Sequence, residues 1–385
     1  MLMDKLLITS KPVFVHSLWR SGSTYIFNVF RRSKGGYWAY QEPIHEIAMN
    51  AKYNPSILDD LTSESSNLRH PSIGLPYFYE LKEIYPAWSN IITKNIIYDE
   101  YFGGTSGETL KMYLTALIEN SRGRPVIQEC RTSSRIGAIK QMIGGVHIYL
   151  WRNPWDQWWS FKINEYFDTA CLLCINATSA PKVIDILREK IGFNCFHDDD
   201  IKNEFGYFSL KRLSSRDSYL VFYVLWCLGM LEARQYADIM LSIDMLSKSK
   251  CYKTDICNKL SLFDISDLDF SDCDIPNGIY LDDDYDFFLR TEIVAHEILI
   301  HGGFSGRDIK WLCDIAKDIR NVNSEESFAS RKEIGRIRKC FLDNKDRESE
   351  RLCYLNKVVS EKDEHIHHLN KVVSEKDEHI HHLNK

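Results

Sequence analysis

The chain has 385 residues, 44% of them hydrophobic, and a formal net charge of −6. This size suffices for one large α/β domain with an appendage. The acidic balance disfavours a nucleic-acid-binding protein, so a site for an anionic ligand would have to be local. Residues 1–10 hold an apolar run too short for a signal sequence, and no later stretch reaches the roughly 18 apolar residues of a membrane span. We therefore predict no membrane span.

The eleven cysteines have no regular spacing, and their number is odd. The one C-x-x-C motif, Cys171 and Cys174, lies in an apolar stretch, where packing explains it better than metal binding does. Such a set is typical of reduced thiols in a reducing compartment. The sequence therefore predicts a cytoplasmic protein.

A strand, a short polar turn and a helix are predicted over residues 13–33. A β-branched and aromatic run enters the turn W-R-S-G-S-T at 19–24, and an apolar pattern of helical period leaves it. The backbone N–H groups of 21–24 would point at an anion from the start of a helix, where the helix dipole favours negative charge. An arginine fork and a hydroxyl can bind the same phosphate. The predicted anion-binding residues are Arg20, Ser21, Gly22, Ser23, Thr24 and Tyr25.

The turn at 19–24 does not have the Walker pattern of nucleoside triphosphatases. That pattern requires G-x-x-x-x-G-K-[ST], whereas this turn has one glycine, Gly22, and no lysine. The dinucleotide fingerprint G-x-G-x-x-G is absent as well. The turn resembles the 5′-phosphosulfate loop of sulfotransferases that use 3′-phosphoadenosine 5′-phosphosulfate (PAPS), in the R-S-G-[ST]-[ST] form of the carbohydrate and tyrosyl-protein enzymes. The alternative is an ordinary strand–turn–helix with a capping serine.

A second strand is predicted at 37–40, and it leads into an acidic segment. Pro43 favours an extended conformation at Glu42, which places that carboxylate at a strand end, where open α/β sheets bind ligands. In the sulfotransferases that the turn resembles, a glutamate about this far along the chain is the general base. The resemblance therefore implies Glu42 as the base, with His45 and Glu46 as the next candidates and Arg20 beside the sulfuryl group. The alternative is that Glu42 is a solvated loop carboxylate.

Residues 50–105 read as loops over the sheet, with helices near 77–85 and 107–120. Loops of this kind often form substrate pockets and lids, so we expect them to set specificity. A buried strand is predicted at 124–131, followed by a helix that the hydroxyl-bearing residues 132–134 could cap. Arg131 and Arg135 follow this strand. They could meet a sulfate or an anionic acceptor, or form surface ion pairs.

A strand predicted at 146–150 leads into a second motif. Arg152 follows the strand, Pro154 suits the first turn of the next helix, and Ser160 lies about two turns further on. This R-x-P…S spacing resembles the sequence with which PAPS-dependent sulfotransferases bind the 3′-phosphate of the donor. The resemblance implies that Arg152 and Ser160 bind this phosphate. It covers residues 10–165, and two motifs in this order are more specific than either alone.

Residues 162–260 are predicted to be mainly helical, with a core helix at 219–236 and a late strand at 239–244. The acidic runs at 198–200 and 264–286 lack the glycine and the glutamate of an EF-hand, so we expect solvated loops. His296 and His301 are five residues apart rather than the four of a zinc protease, and they diverge around a helix. No metal site is predicted.

The tail has an internal repeat. Residues 355–368 recur unchanged as 369–382, a period of two heptads. The a positions are Leu352, Val359, Ile366, Val373 and Ile380, and the d positions are Leu355, Lys362, Leu369, Lys376 and Leu383. Branched residues at a with leucine at d favour a parallel dimer. The tail therefore predicts a homo-oligomer or docking to a partner helix, with metal binding by its histidines as a weaker alternative.

These features together predict an α/β fold with a P-loop-like parallel sheet flanked by helices, helical insertions and a C-terminal coiled coil. Residues 1–345 would form a sulfotransferase-like domain, and residues 352–385 the coiled-coil tail. The predicted function is metal-free transfer of a sulfuryl group from PAPS to a hydroxyl, of a carbohydrate or glycoconjugate. The alternatives are a nucleotide-dependent phosphotransferase on a P-loop scaffold and a non-catalytic coiled-coil assembly protein.

Overall fold

A computed structural model describes residues 11–59, 75–104, 107–321 and 328–383 of the chain. The sequence interpretation of residues 1–10, and part of that of 50–105, lie outside the described residues. Five strands form one parallel sheet in the order β2-β3-β1-β4-β5. They are β1 (Val13–Ser17), β2 (Tyr37–Gln41), β3 (Arg124–Glu129), β4 (Val146–Trp151) and β5 (Ile239–Ser242). The predicted parallel α/β fold is confirmed.

Sixteen helices are described. The first eight are α1 (Ser23–Arg32), α2 (Glu46–Ala51), α3 (Tyr79–Glu83), α4 (Tyr85–Trp88), α5 (Glu108–Glu119), α6 (Ile136–Ile143), α7 (Pro154–Phe161) and α8 (Tyr166–Ile175). The others are α9 (Lys182–Lys190), α10 (Ile201–Ser209), α11 (Ser215–Tyr236), α12 (Ile243–Lys248), α13 (Lys250–Ser261), α14 (Asp282–His301), α15 (Gly306–Asn321) and α16 (Phe328–Leu383). Two short 3-10 helices lie at Pro55–Asp59 and Lys94–Ile96.

Helices cover both faces of the sheet. Alternate residues of β1 point to opposite faces, as the strand period requires, so Val13 and Val15 join one buried cluster and Phe14 joins the other. The first cluster packs against α1, α12 and α13, and the second against a larger set that includes α5, α6 and the long core helix α11. Burial on both faces explains why the strands are nearly continuous apolar runs.

One helix start differs from its prediction. Residues 132–134 do not cap α6, because its N-cap residue is Arg135, which makes no side-chain capping hydrogen bond. Two of the three hydroxyls already have tertiary partners. The Thr132 hydroxyl lies 2.7 Å from Nδ1 of His16, and the Ser133 hydroxyl lies 2.7 Å from the Tyr101 hydroxyl.

The last helix, α16, is a single helix that runs through the predicted boundary at 345–352. Its base is fixed to the body, since Asp346 accepts a hydrogen bond of 2.8 Å from the amide of Ser215. Further along, Leu355, Val359 and Ile366 are about half exposed. The structure thus confirms a helical tail, while the coiled coil and the division into 1–345 and 352–385 stay predictions.

Membrane spans and metal sites can both be sought among the described residues. No helix among them is long and apolar enough to cross a membrane. Within the same residues there is no cluster of three or more His, Cys, Asp or Glu side chains placed to hold a metal ion. The eleven cysteines all lie in this part of the chain, and each is a free thiol.

Candidate functional site

The strand order marks one crevice at the carboxyl edge of the sheet. The chain leaves β1 toward β2 on one side and leaves β4 toward β5 on the other, so the connections diverge between the adjacent strands β1 and β4. In open α/β sheets ligands bind at such a switch point. The turn after β1 carries the first sequence motif and the turn after β4 carries the second. The fold therefore brings both motifs to the place where a ligand is expected.

The turn at 19–24 has an unusual backbone. Gly22 is the N-cap residue of α1 and has a φ of 89°, and Arg20 has a φ of 62°. A Cβ atom on Gly22 would lie 2.8 Å from a side-chain carbon of Ile243, so both conformation and space require glycine. Because glycine has no capping side chain, the N–H groups of the first turn of α1 are left for another acceptor.

Arg20 joins the two motifs. Its Nε donates a hydrogen bond of 2.9 Å to the Ser160 hydroxyl, and its carbonyl oxygen accepts a hydrogen bond of 3.4 Å from Nη1 of Arg152. The Arg20 guanidinium also lies 5.6 Å from the centre of the Phe167 ring. Arg20 therefore links Ser160 to Arg152. The structure thus brings Arg20 to two predicted site residues, Arg152 and Ser160, that lie more than 130 positions further along the chain.

Arg152 is buried and contacts two further segments of the chain. Its Nη2 donates to the carbonyl oxygen of Pro276, and its Nε lies 3.9 Å from Oδ1 of Asp244. Burial raises the pKa of Asp244 to about 6, although the charge of Arg152 opposes that shift. Neither Asp244 nor Pro276 was predicted as a site residue. The position of Asp244, at the end of the predicted last strand, was the available signal.

Several buried polar atoms around these turns lack a hydrogen-bond partner. Among the described residues they include Nε1 of Trp19, Oε1 of Gln157, Nε of Arg152 and Oδ1 of Asp244. A buried polar group without a partner is costly, so it is normally satisfied by water or by a ligand. Nitrogen donors from Trp19 and Arg152 beside an uncapped helix start suit an anion.

The predicted base, Glu42, lies at the end of β2 and is buried. Its φ is 39°, so the extended conformation predicted for it is wrong, and its amide donates to the carbonyl oxygen of Gln128 on β3. The Tyr77 hydroxyl donates to Oε1 at 2.9 Å, and Arg131 donates to Oε2 at 3.2 Å. Glu42 is therefore not a solvated loop carboxylate. These two donors fix the direction of its oxygen atoms and stabilise a negative charge on them.

Arg131 is the centre of a buried charge network. It pairs with Glu46 at 2.5 Å and with Glu129 at 3.4 Å in addition to Glu42, and it donates to the Tyr166 hydroxyl at 2.6 Å. Burial alone would raise the pKa of Glu46, but the charge of Arg131 holds it well below its usual range. Glu46 is therefore a fixed anion and a poor choice for a base.

His45 belongs to the same network. Its Nδ1 lies 3.0 Å from Oε2 of Glu46 and accepts from the amide of Ile47 at 3.1 Å, so the ring serves as the N-cap of α2. Its Nε2 lies 3.4 Å from the Tyr166 hydroxyl. The structure therefore places His45 beside Glu46. Arg131, which pairs with both Glu46 and Glu42, links this pair to Glu42.

Surface ion pairing, one of the two alternatives for Arg131 and Arg135, is excluded because both side chains are buried. Arg135 donates to the carbonyl oxygens of Ile96 and Glu100, and burial lowers its pKa to about 10. Its side chain therefore holds the segment 96–100. Arg131 acts on Glu42, a role that the sequence did not reveal.

Two contacts join the Arg20 turn to the Glu42 network. The guanidinium of Arg131 lies 5.5 Å from the centre of the Trp19 ring. Tyr166, which binds Arg131, is followed directly by Phe167, which lies under Arg20. The turn predicted to bind an anion and the buried carboxylate predicted to be the base thus lie side by side at one edge of the sheet.

The remaining predicted residues of the turn, Ser21, Ser23, Thr24 and Tyr25, have different surroundings. The Ser21 hydroxyl donates to the carbonyl oxygen of Leu18 and closes the turn, while Ser23 and Thr24 are buried in the first turn of α1. The Tyr25 hydroxyl donates to Asp272 at 2.8 Å. Tyr25 therefore binds a neighbouring segment and is not brought to Arg20.

No family model, no curated protein and no solved structure matches the chain.

Proposed function

We propose that the protein is a sulfotransferase that moves a sulfuryl group from PAPS to a hydroxyl of a carbohydrate or glycoconjugate. One observation carries the proposal: Arg20 contacts both Ser160 and Arg152 at the switch point of the sheet. PAPS has two anionic ends, a 5′-phosphosulfate and a 3′-phosphate, and this site has two basic groups on adjacent turns. The strand order β2-β3-β1-β4-β5, with an anion turn after the central strand, supports a P-loop-like scaffold.

In this proposal the turn at 19–24, which follows β1, binds the donor. The N–H groups that begin α1 and the guanidinium of Arg20 would bind the phosphosulfate, and Arg152 would bind the 3′-phosphate. During transfer the bond between sulfur and the bridging phosphate oxygen breaks, and negative charge builds up on that oxygen. Arg20 and the helix start would stabilise this charge, which is the main way that such a site lowers the barrier.

In this proposal Glu42 activates the acceptor hydroxyl. Its carboxylate would take the proton of the acceptor hydroxyl while that oxygen forms its bond to sulfur, so the products are a sulfate ester, adenosine 3′,5′-bisphosphate and a protonated Glu42. Tyr77 and Arg131 would hold the carboxylate in place. General-base catalysis by a positioned side chain typically contributes about 10²–10⁴-fold to the rate.

Location and self-association are further parts of the proposal. The free thiols support a reducing compartment such as the cytoplasm. The half-exposed side chains of Leu355, Val359 and Ile366 share one face of α16, as the heptad pattern predicts, and they support pairing of the tail with a second copy of this chain.

The test is calorimetry with adenosine 3′,5′-bisphosphate and with ATP. We expect binding of the bisphosphate only, and we expect Arg152→Ala to weaken it by about tenfold or more, since a charged hydrogen bond to phosphate is lost. Arg216→Ala removes an exposed arginine of α11 and is the matched control. Tighter binding of ATP would favour a phosphotransferase, and absence of binding to either nucleotide would favour an assembly protein.

A further inference from the structure

A short segment before α14 covers the second motif. This segment, Pro276 to Tyr280, is called the strap. Its first residue accepts a hydrogen bond from Arg152 through the backbone carbonyl. The amide of Gly278 and the hydroxyl of Tyr280 both donate to Oδ1 of Asp156, at 2.5 and 2.6 Å. The strap therefore touches Arg152 and the first turn of α7 together.

The base of the tail helix holds the strap from outside. Arg338 of α16 donates to the carbonyl oxygen of Ile279, and its guanidinium lies 4.7 Å from the centre of the Tyr280 ring. The same guanidinium lies 5.1 Å from the ring of Trp159, which directly precedes Ser160. One cation thus contacts the strap and the helix that carries Ser160.

We infer that Arg338 is a positioning residue for the donor site, acting through the strap and Trp159 on Arg152 and Ser160. The inference rests on the proposed function for the identity of the ligand. A planar guanidinium between two aromatic rings gains cation–π energy from both, and its N–H group satisfies a strap carbonyl at the same time. Loss of this side chain removes the outer contact of the strap, which Asp156 still holds, and loosens the orientation of Arg152.

The first measurement is hydrogen exchange without ligand. In Arg338→Ala the amides of the strap are expected to exchange faster than in the wild type, because the outer contact of the strap is gone. Arg347→Ala removes an exposed arginine of the same helix and is expected to leave that exchange unchanged. Unchanged exchange in Arg338→Ala would overturn the inference.

The second measurement is the dissociation constant of adenosine 3′,5′-bisphosphate for the full chain. We expect Arg338→Ala to weaken binding by about tenfold, Arg338→Lys to recover only part of the affinity because an ammonium keeps the charge but not the planar group between the two rings, and Arg347→Ala to match the wild type. The melting temperature shows whether each variant is folded. A wild type that does not bind the bisphosphate contradicts the proposed function, whereas a wild type and an Arg338→Ala variant of equal affinity contradict this inference alone.

Discussion

Arg20 and Glu42 are the two residues on which the proposed chemistry depends most, and each has an unfavourable backbone. Only four non-glycine residues in the described part of the chain have a positive φ, and these are two of them. Such conformations persist where the surroundings enforce them, and they occur often at functional sites. Here the enforcing contacts are those of Arg152 with the carbonyl of Arg20 and of Gln128 with the amide of Glu42.

The first prediction concerns Glu42→Gln. Glutamine keeps the size of the side chain but cannot take a proton, so turnover is expected to fall about 10²–10⁴-fold. Binding of the bisphosphate is expected to stay within about twofold, because the donor contacts come from the other turn. Turnover is measured as release of adenosine 3′,5′-bisphosphate from PAPS with a panel of oligosaccharide acceptors.

Glu108→Gln is the control for that variant. Glu108 is an exposed carboxylate in the first turn of α5, away from both motifs. Its replacement is expected to leave turnover unchanged. If Glu42→Gln binds the bisphosphate and also retains full turnover, another group is the base.

The roles of Arg20, Glu42 and Arg152 came from the resemblance and stay predictions. Sequence reasoning did place these three residues in the turns that follow their strands, as the structure has them. It failed for residues that reach the site through tertiary packing: Tyr77 and Asp244 lie in segments whose approach to the site depends on the whole fold. No spacing rule connects such segments to the motifs.

At the scale of elements, β1 and β4 are joined by a buried pair of histidines. Nε2 of His147 lies 3.0 Å from the carbonyl oxygen of Gly144 and must therefore donate, which leaves its Nδ1 as an acceptor. Nε2 of His16, 2.9 Å away, must then donate to it, and Nδ1 of His16 accepts from the Thr132 hydroxyl. The chain of hydrogen bonds has one direction, and both rings are neutral.

The second prediction is a pH dependence of stability. Burial, followed by His147 and Arg135, holds the pKa of His16 well below 6.5, and burial lowers that of His147 to about 4. The unfolded chain therefore binds more protons below pH 6.5, so each histidine removes up to about 1.4 kcal/mol of stability per pH unit as the pH falls from 6.5 toward 4. Asp244 acts in the opposite sense between about pH 6 and 4, because its pKa is raised.

The measurement is urea unfolding at pH 7 and pH 5. The double variant His16→Gln/His147→Gln is expected to lose less stability between these two values than the wild type does. His301→Gln replaces an exposed histidine of α14 and is expected to keep the wild-type difference. Equal differences in the wild type and the double variant would show that the pair is not neutral in the native protein.

Most helices and strands were predictable because their apolar patterns extend over many residues and because turn or capping residues mark their ends. The β1 turn, the Pro154 helix start and the core helix α11 are examples. The cap of α6 was predicted wrongly, since hydroxyls that favour a cap locally bind distant partners in the folded chain. The strand order was not predicted, because local patterns do not encode which strands become neighbours.

At the scale of the whole molecule, the third prediction concerns the tail. Removal of residues 352–385 is expected to change the particle from the mass of two chains to that of one, as measured by light scattering. In the full chain Val359→Asp is expected to do the same, because it places a charge in the apolar stripe. Tyr354→Asp changes an exposed residue off that stripe and serves as the control. An unchanged mass after removal of the tail would eliminate the dimer.

The left-handed backbone at Arg20 has a consequence for engineering this protein. For an L-residue that conformation costs roughly 1–2 kcal/mol, a cost that glycine does not incur. This is a sizeable fraction of the roughly 5–15 kcal/mol that stabilises a typical domain. A selection for heat resistance alone would therefore favour glycine at this position, and the variants it yields would lose the hydrogen bond from Arg20 to Ser160 that joins the two motifs. To keep the proposed donor binding, a selection for that binding has to accompany the selection for heat resistance.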